Sequence, residues 1–190
     1  MAQARFNSSR GFSLAEVLIA MGLLTTVSLG VAQLFALSAR ANLVARSQTS
    51  TTALAEQKLE QIRALTWGFD AAGDGLPVSD TSTNLSVDPP STGGAGLNPS
   101  PASSLEQNTL GYVDYLNTNG SYVGTGTTPP GGAVYIRRWS IQPLPTNPNN
   151  TIVLQVLVTP IANQSIRGNG AFQRLGGDAL LVSVKTRKAQ

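Results

Sequence analysis

The chain has 190 residues, 13 basic and 10 acidic side chains, and a formal charge of +3. It contains neither histidine nor cysteine, which excludes His-based catalytic triads, the commonest zinc ligand and any disulfide framework. The length suits one anchored domain, and the modest charge excludes the broad basic footprint of a nucleic-acid binder.

The first element is a short basic leader, residues 1–11, carrying Arg5 and Arg10 and ending in Gly11. A long apolar run comes next. It holds one carboxylate, Glu16, and from Val17 to Ala39 it is uncharged for 23 residues. At 1.5 Å per helical residue that run spans about 35 Å, enough for a bilayer core of about 30 Å. A carboxylate inside such a segment costs up to about 3 kcal/mol at the helix centre, less near its end, so Glu16 calls for a partner. The leader's arginines place the N-terminus in the cytoplasm and the C-terminal part on the far side of the membrane. Gly11 is small enough for a peptidase cleft to admit the backbone around a cut. Phe12 and Glu16, four apart, share one helix face. An α-amine created at Phe12 would be mostly protonated at neutral pH, and beside it a buried carboxylate stays charged.

The stretch Arg10-Gly11-Phe12-Ser13-Leu14-Ala15-Glu16-Val17 resembles the prepilin signal of type IV pilins and pseudopilins. Ala15 stands where a larger aliphatic residue is more usual. The resemblance implies cleavage after Gly11 by prepilin peptidase and methylation of the new amine on Phe12. It also implies pairing of Glu16 with the N-terminal amine of a neighbouring pilin subunit during assembly. It names partners as well: other pilin subunits packed helix on helix, a pilus assembly platform, and the inner membrane before assembly. Removal of residues 1–11 leaves side chains summing to +1, so no nucleic-acid partner is expected. Many major pilins carry a C-terminal disulfide, which this chain lacks.

The apolar run, residues 12–39, grades into an amphipathic segment, 40–65. Ala55, Leu59 and Ile62 form its apolar stripe, and Glu60 and Arg63 are spaced to pair on the outer face. The absence of proline before Pro77 predicts one helix from Phe12 to Leu65, about 80 Å long. Gly22 and Gly30 each weaken it by about 1 kcal/mol relative to Ala and offer sites for a bend or close helix contact. The 53–63 stretch is similar to the helix after the anchor in minor pilins of the PilV type.

Residues 66–111 are rich in Gly, Pro, Ser, Thr and Asn and predict a long helix-to-sheet loop with little regular structure. From Ala64 to Ile136 there are six acids and no base, an excess suited to a cation or a basic partner surface. Asp70-Ala-Ala-Gly-Asp74-Gly75 faintly suggests a calcium loop but lacks the alternating oxygen ligands and distal Glu of an EF-hand. A solvated loop is the better reading, with no metal and no cofactor.

Strands are predicted over 112–190: Tyr112–Leu116 and Ser121–Val123 around an Asn117–Gly120 turn, then Val134–Ile141, Thr151–Thr159 and Ala179–Thr186. They make an antiparallel sheet of three or four strands, and the amphipathic half of the helix is its one large apolar cover. The expected fold class is α+β, a long N-terminal helix packed in its distal half against a small antiparallel sheet, as in pilins. Alternation sends one of Arg137 and Arg138 toward the helix and the other to solvent, with Trp139 in packing. No catalytic constellation is present: there is no Ser-x-x-Lys or Gly-x-Ser-x-Gly. The sequence therefore reads as a non-enzymatic minor pilin of a type IV pilus. A minor pseudopilin of type II secretion is the alternative, and a non-polymerising anchored adhesin the third reading.

Overall fold

The computed structural model describes residues 11–72, 74–167 and 174–187. Helix α1 covers Leu14–Ala64, and the chain divides into two compact units, Met1–Leu43 and Val44–Gln190. In the first unit every described residue is exposed, and its Leu, Val, Ile, Met and Phe side chains face outward all round. α1 contains a segment long and apolar enough to cross a membrane. Thr25 and Thr26 do not disturb that character, because their hydroxyls donate to the carbonyls of Met21 and Gly22 one turn back.

The helix begins two residues later than predicted. Ser13 caps it: the Ala15 N–H donates to Ser13 Oγ at 3.3 Å, and the Val17 N–H closes the first turn on the Ser13 carbonyl at 3.2 Å. Such a cap requires non-helical backbone at Ser13, which keeps Phe12 outside the helix.

In the second unit, α1 turns Thr51, Ala55, Lys58, Leu59 and Ile62 inward. The steps of three and four match the helical period, so these side chains form one stripe. Next come two small hairpins: β1 (Trp67–Phe69) with β2 (Pro77–Ser79), and β3 (Thr83–Asn84) with β4 (Ser91–Thr92). The segment predicted as a loop is thus partly paired, and it contributes Leu85 and Leu97 to the core.

The main sheet comprises β5 (Val113–Leu116), β6 (Tyr122–Gly124), β7 (Tyr135–Pro143), β8 (Thr151–Pro160) and β9 (Ala179–Thr186), in the antiparallel order β6-β5-β7-β8-β9. It has five strands rather than three or four, because short β6 folds back on β5 through the Asn117–Gly120 turn. There Asn117 Oδ1 accepts the N–H groups of Asn119 and Ser121, and Gly120 supplies the left-handed conformation at φ 77°. Helix α2 (Ile161–Arg167), unforeseen, comes directly after β8.

One face of the sheet is covered by α1, and the other is covered over β5 and β7, while Val182 and Val184 of β9 stay exposed. Trp139, Ile141, Leu154, Val156 and Val158 join Ala55, Leu59 and Ile62 in one buried cluster. On the other face Val113, Tyr115 and Ile136 are packed by Ala133 and Ile161. Segment 100–111 also reaches this face, where Ser100 meets the Ser140 hydroxyl at 3.0 Å. The α+β architecture stands as expected, with loop and turn segments supplying a second cover that helix periodicity could not reveal.

Candidate functional site

The predicted processing residues lie at the start of the first unit. Gly11, Phe12 and Ser13 precede the helix in non-regular backbone. A side chain added at Gly11 would meet nothing within 4 Å among the described residues. Phe12 is 84% exposed. Glu16 occupies the third position of α1, where the partial positive charge of the helix N-terminus favours a carboxylate. Phe12 and Glu16 line one shallow groove of about 330 Å³ with Val17, Ala20, Met21 and Leu24, so the spacing of four brings them to one side of the chain. Sequence reasoning missed Ser13 as a structural residue. Its signal is the Ser-x-x-Glu spacing of Ser13 and Glu16 ahead of an apolar run, a capping-box pattern.

The second unit holds a buried ionic cluster under α1. Asp114 is fully buried and accepts Arg137 in a fork, Nε at 2.8 Å and Nη2 at 2.9 Å. Lys58 Nζ reaches the same carboxylate at 2.8 Å and donates to the Leu85 carbonyl at 2.6 Å. Its ammonium also sits 4.6 Å from the centre of the Trp139 ring. Arg137 Nη1 extends the network to the Leu54 carbonyl and Gln57 Oε1, both at 3.2 Å. Two cations therefore share one carboxylate out of water. Burial pushes the Lys58 amine down to about 8, against the raising pull of Asp114, with the Arg137 charge adding to the fall.

Arg137 faces the helix as one of the two arginines had to. Arg138 does not reach solvent: it is buried on the other face, its Nε and Nη2 both donating to Asn108 Oδ1 at 2.9 and 2.7 Å. Segment 100–111 covers that face and supplies the acceptor. Trp139 is core, as predicted.

Several acids of the 66–111 region are engaged locally. Asp70 Oδ1 accepts the Leu76 N–H in the β1–β2 hairpin. Asp80 gathers the Ser82 and Thr83 N–H groups and the Thr83 hydroxyl, which hold its carboxyl below the usual range. Sequence reasoning also missed Lys58 and Asp114. The signal for Lys58 is a cation in register with the Ala55–Leu59–Ile62 stripe; for Asp114 it is a carboxylate inside the apolar strand Val113–Leu116.

Residues 6–32 match the model of the prokaryotic N-terminal methylation motif. The match covers the apolar start of α1 and supports a type IV pilin-like protein, of pilin or pseudopilin type. That motif implies processing by prepilin peptidase and assembly with pilin subunits, and its family is of structural pilin type. With the long apolar helix it is consistent with membrane anchoring. No curated protein and no solved structure matches the chain.

Proposed function

We propose that this chain is a minor pilin of a type IV pilus, cut after Gly11, methylated on Phe12 and seated in the filament through Glu16. The observation that carries the reading is the N-terminal part of α1, residues 14–39: apolar and exposed on every side, with one carboxylate, Glu16, three residues beyond the Ser13 cap. Such a surface needs either lipid or other helices around it. A cut after Gly11 leaves Ser13 and Glu16 on the mature chain, so the cap survives processing. The cut also adds an ammonium at Phe12, close to the positive end of the helix dipole, and Glu16 offsets that charge. In a filament the same carboxylate pairs with the amine of a neighbouring subunit and sets axial register.

Before assembly the chain sits in the inner membrane, N-terminus cytoplasmic, with residues 112–190 on the periplasmic side. The absence of cysteine, and so of the C-terminal disulfide common in major pilins, favours a minor over a major pilin.

Intact mass and N-terminal peptide sequencing of membrane and sheared-surface fractions test the reading. The expected result is a chain beginning at N-methyl-Phe12 and recovered in the sheared fraction. A chain still beginning near Met1 in both fractions overturns it.

A further inference from the structure

A second concave surface lies within the Val44–Gln190 unit, with a volume of about 310 Å³. Four prolines from separate segments form its walls: Pro77, Pro99, Pro143 and Pro148. Leu97 and Ile152 also line it, both almost fully buried. Trp67 and Arg187 complete it, the guanidinium stacked 3.6 Å from the centre of the Trp67 ring. Side chains of Ser79, Thr81, Asn98 and Asn149 add hydroxyl and amide groups.

Among the described residues the charge at this site meets backbone carbonyls and an aromatic ring but no carboxylate. Arg187 is 8% exposed, and its hydrogen bonds run from Nε to the Asn149 carbonyl at 3.0 Å and from Nη1 to the carbonyls of Gly68 at 2.8 Å and Val78 at 2.7 Å. Among the described residues no carboxylate pairs with it, and none of these bonds uses Nη2. A guanidinium is a fork shaped for a carboxylate. Elsewhere in this chain the buried Arg137 receives one, from Asp114. Arg187 instead lines a groove, with Nη2 outside the bonds to those carbonyls.

We infer that this groove binds an acidic sugar ring, a uronic-acid unit whose carboxylate meets Arg187. The volume suits one ring and stands at the small end of ligand sites, which run from about 300 Å³. The prolines offer apolar faces for the C–H groups of a sugar and have no N–H. An extended peptide, which binds through main-chain pairing, finds few partners on such walls. The hydroxyl and amide side chains at the rim suit ring hydroxyls.

The test uses the full chain in detergent micelles, labelled with nitrogen-15. The two tryptophan indole signals serve as reporters, because Trp67 lines the groove while Trp139 lies under α1. Glucuronate is titrated into the sample, with glucose and acetyl-trialanine as comparison probes. The expected result is a saturable shift of the Trp67 signal with a Kd of roughly millimolar, as for a ligand of this size, and an unmoved Trp139 signal. Arg187→Gln should weaken binding at least tenfold. Because that change also removes bonds to the β1–β2 hairpin, Thr81→Glu is a second variant. Thr81 is exposed, and a carboxylate there competes for the guanidinium, so binding should again fall at least tenfold with the fold kept. Equal binding of glucose, stronger binding of acetyl-trialanine, or no shift with glucuronate each overturns the inference.

Discussion

Replacing Asp114 by Asn keeps the volume of the side chain and removes the one negative charge in the buried cluster. The cost is set by the two cations that Asp114 faces. Lys58 is buried and its amine already titrates at about 8 rather than 10.5, so holding it charged near neutral pH costs about 3 kcal/mol. Without Asp114 it loses its proton at pH 7, which caps its further cost at about 1–2 kcal/mol. Arg137 has no such exit, because a guanidinium stays protonated. A buried cation stripped of its partner costs about 3–5 kcal/mol, so Asp114→Asn should destabilise the fold by about that amount. Lys58→Met behaves differently. It removes the cation whose burial is unfavourable and leaves Asp114 forked by Arg137; the main loss is the hydrogen bond to the Leu85 carbonyl, about 1–3 kcal/mol. The two effects offset, and the net change should stay within about 2 kcal/mol. The assay is urea unfolding of the detergent-solubilised chain, monitored by tryptophan fluorescence. pH supplies a second readout. Between about 8 and 10.5 the unfolded chain keeps the Lys58 proton and the folded chain has lost it, so stability rises with pH across that window. Above about 10 the rise is opposed by Tyr112, Tyr115 and Tyr122, which burial raises above their ordinary value. Lys58→Met should remove most of the gain between pH 8 and about 10, leaving the part that comes from Lys185, whose amine burial also lowers. If Lys58→Met costs as much as Asp114→Asn, or keeps the whole of that gain, two cations do not compete for one carboxylate and the reasoning fails.

Three further outcomes are expected. Asn108→Ala removes the acceptor of two Arg138 bonds; it should cost about 1–3 kcal/mol and raise amide exchange across residues 100–111 before the rest of the sheet. Lys185→Met removes an ammonium that donates to the carbonyls of Arg63 and Leu65 at the C-terminal end of α1. It should cost about 1 kcal/mol, seen as increased exchange in the last turn of α1. Gly94→Ala places a methyl carbon 2.1 Å from the Asn84 Cα, so the β3–β4 pairing must open. Thermal unfolding should shift down by more than the few degrees that about 1 kcal/mol would give, and a neutral Gly94→Ala would contradict that backbone contact.

Much of the fold is legible in the sequence because periodicity carries it. Alternation of Val182 and Val184 with Ser183 and Lys185 marks Ala179–Thr186 as a strand, and those are the bounds of β9. The Ala55–Leu59–Ile62 stripe is equally plain. Other features have no local signature. The α2 turn Ile161–Arg167 lies in a stretch that reads as a connection. Leu85 and Leu97 sit among turn formers, and only tertiary packing draws them into the core. Arg138 reads as a solvent residue in the sequence because its partner Asn108 lies thirty positions earlier, in a segment without periodicity. At the N-terminus the local motif around Gly11, Phe12 and Glu16 is plain in the sequence, and residues 6–32 match the prokaryotic N-terminal methylation motif. The cap at Ser13 is less plain, because its Ser-x-x-Glu spacing lies inside that motif.

The ionic cluster bears on how a chain without cysteines holds its helix on its sheet. Between α1 and β7–β8 most contacts join aliphatic or aromatic faces, and such surfaces tolerate a slip of one turn at modest cost because apolar burial has no direction. Hydrogen bonds do have direction. Lys58 meets the carboxylate of β5, while Arg137 of β7 meets the Leu54 carbonyl and the Gln57 amide oxygen on the helix. A shift of α1 by one turn, about 5.4 Å, would break all three contacts and leave buried charges unpaired. The cluster is therefore costly to form and costlier to misplace. This asymmetry favours one register of helix on sheet over its neighbours, even though the net contribution to stability is small.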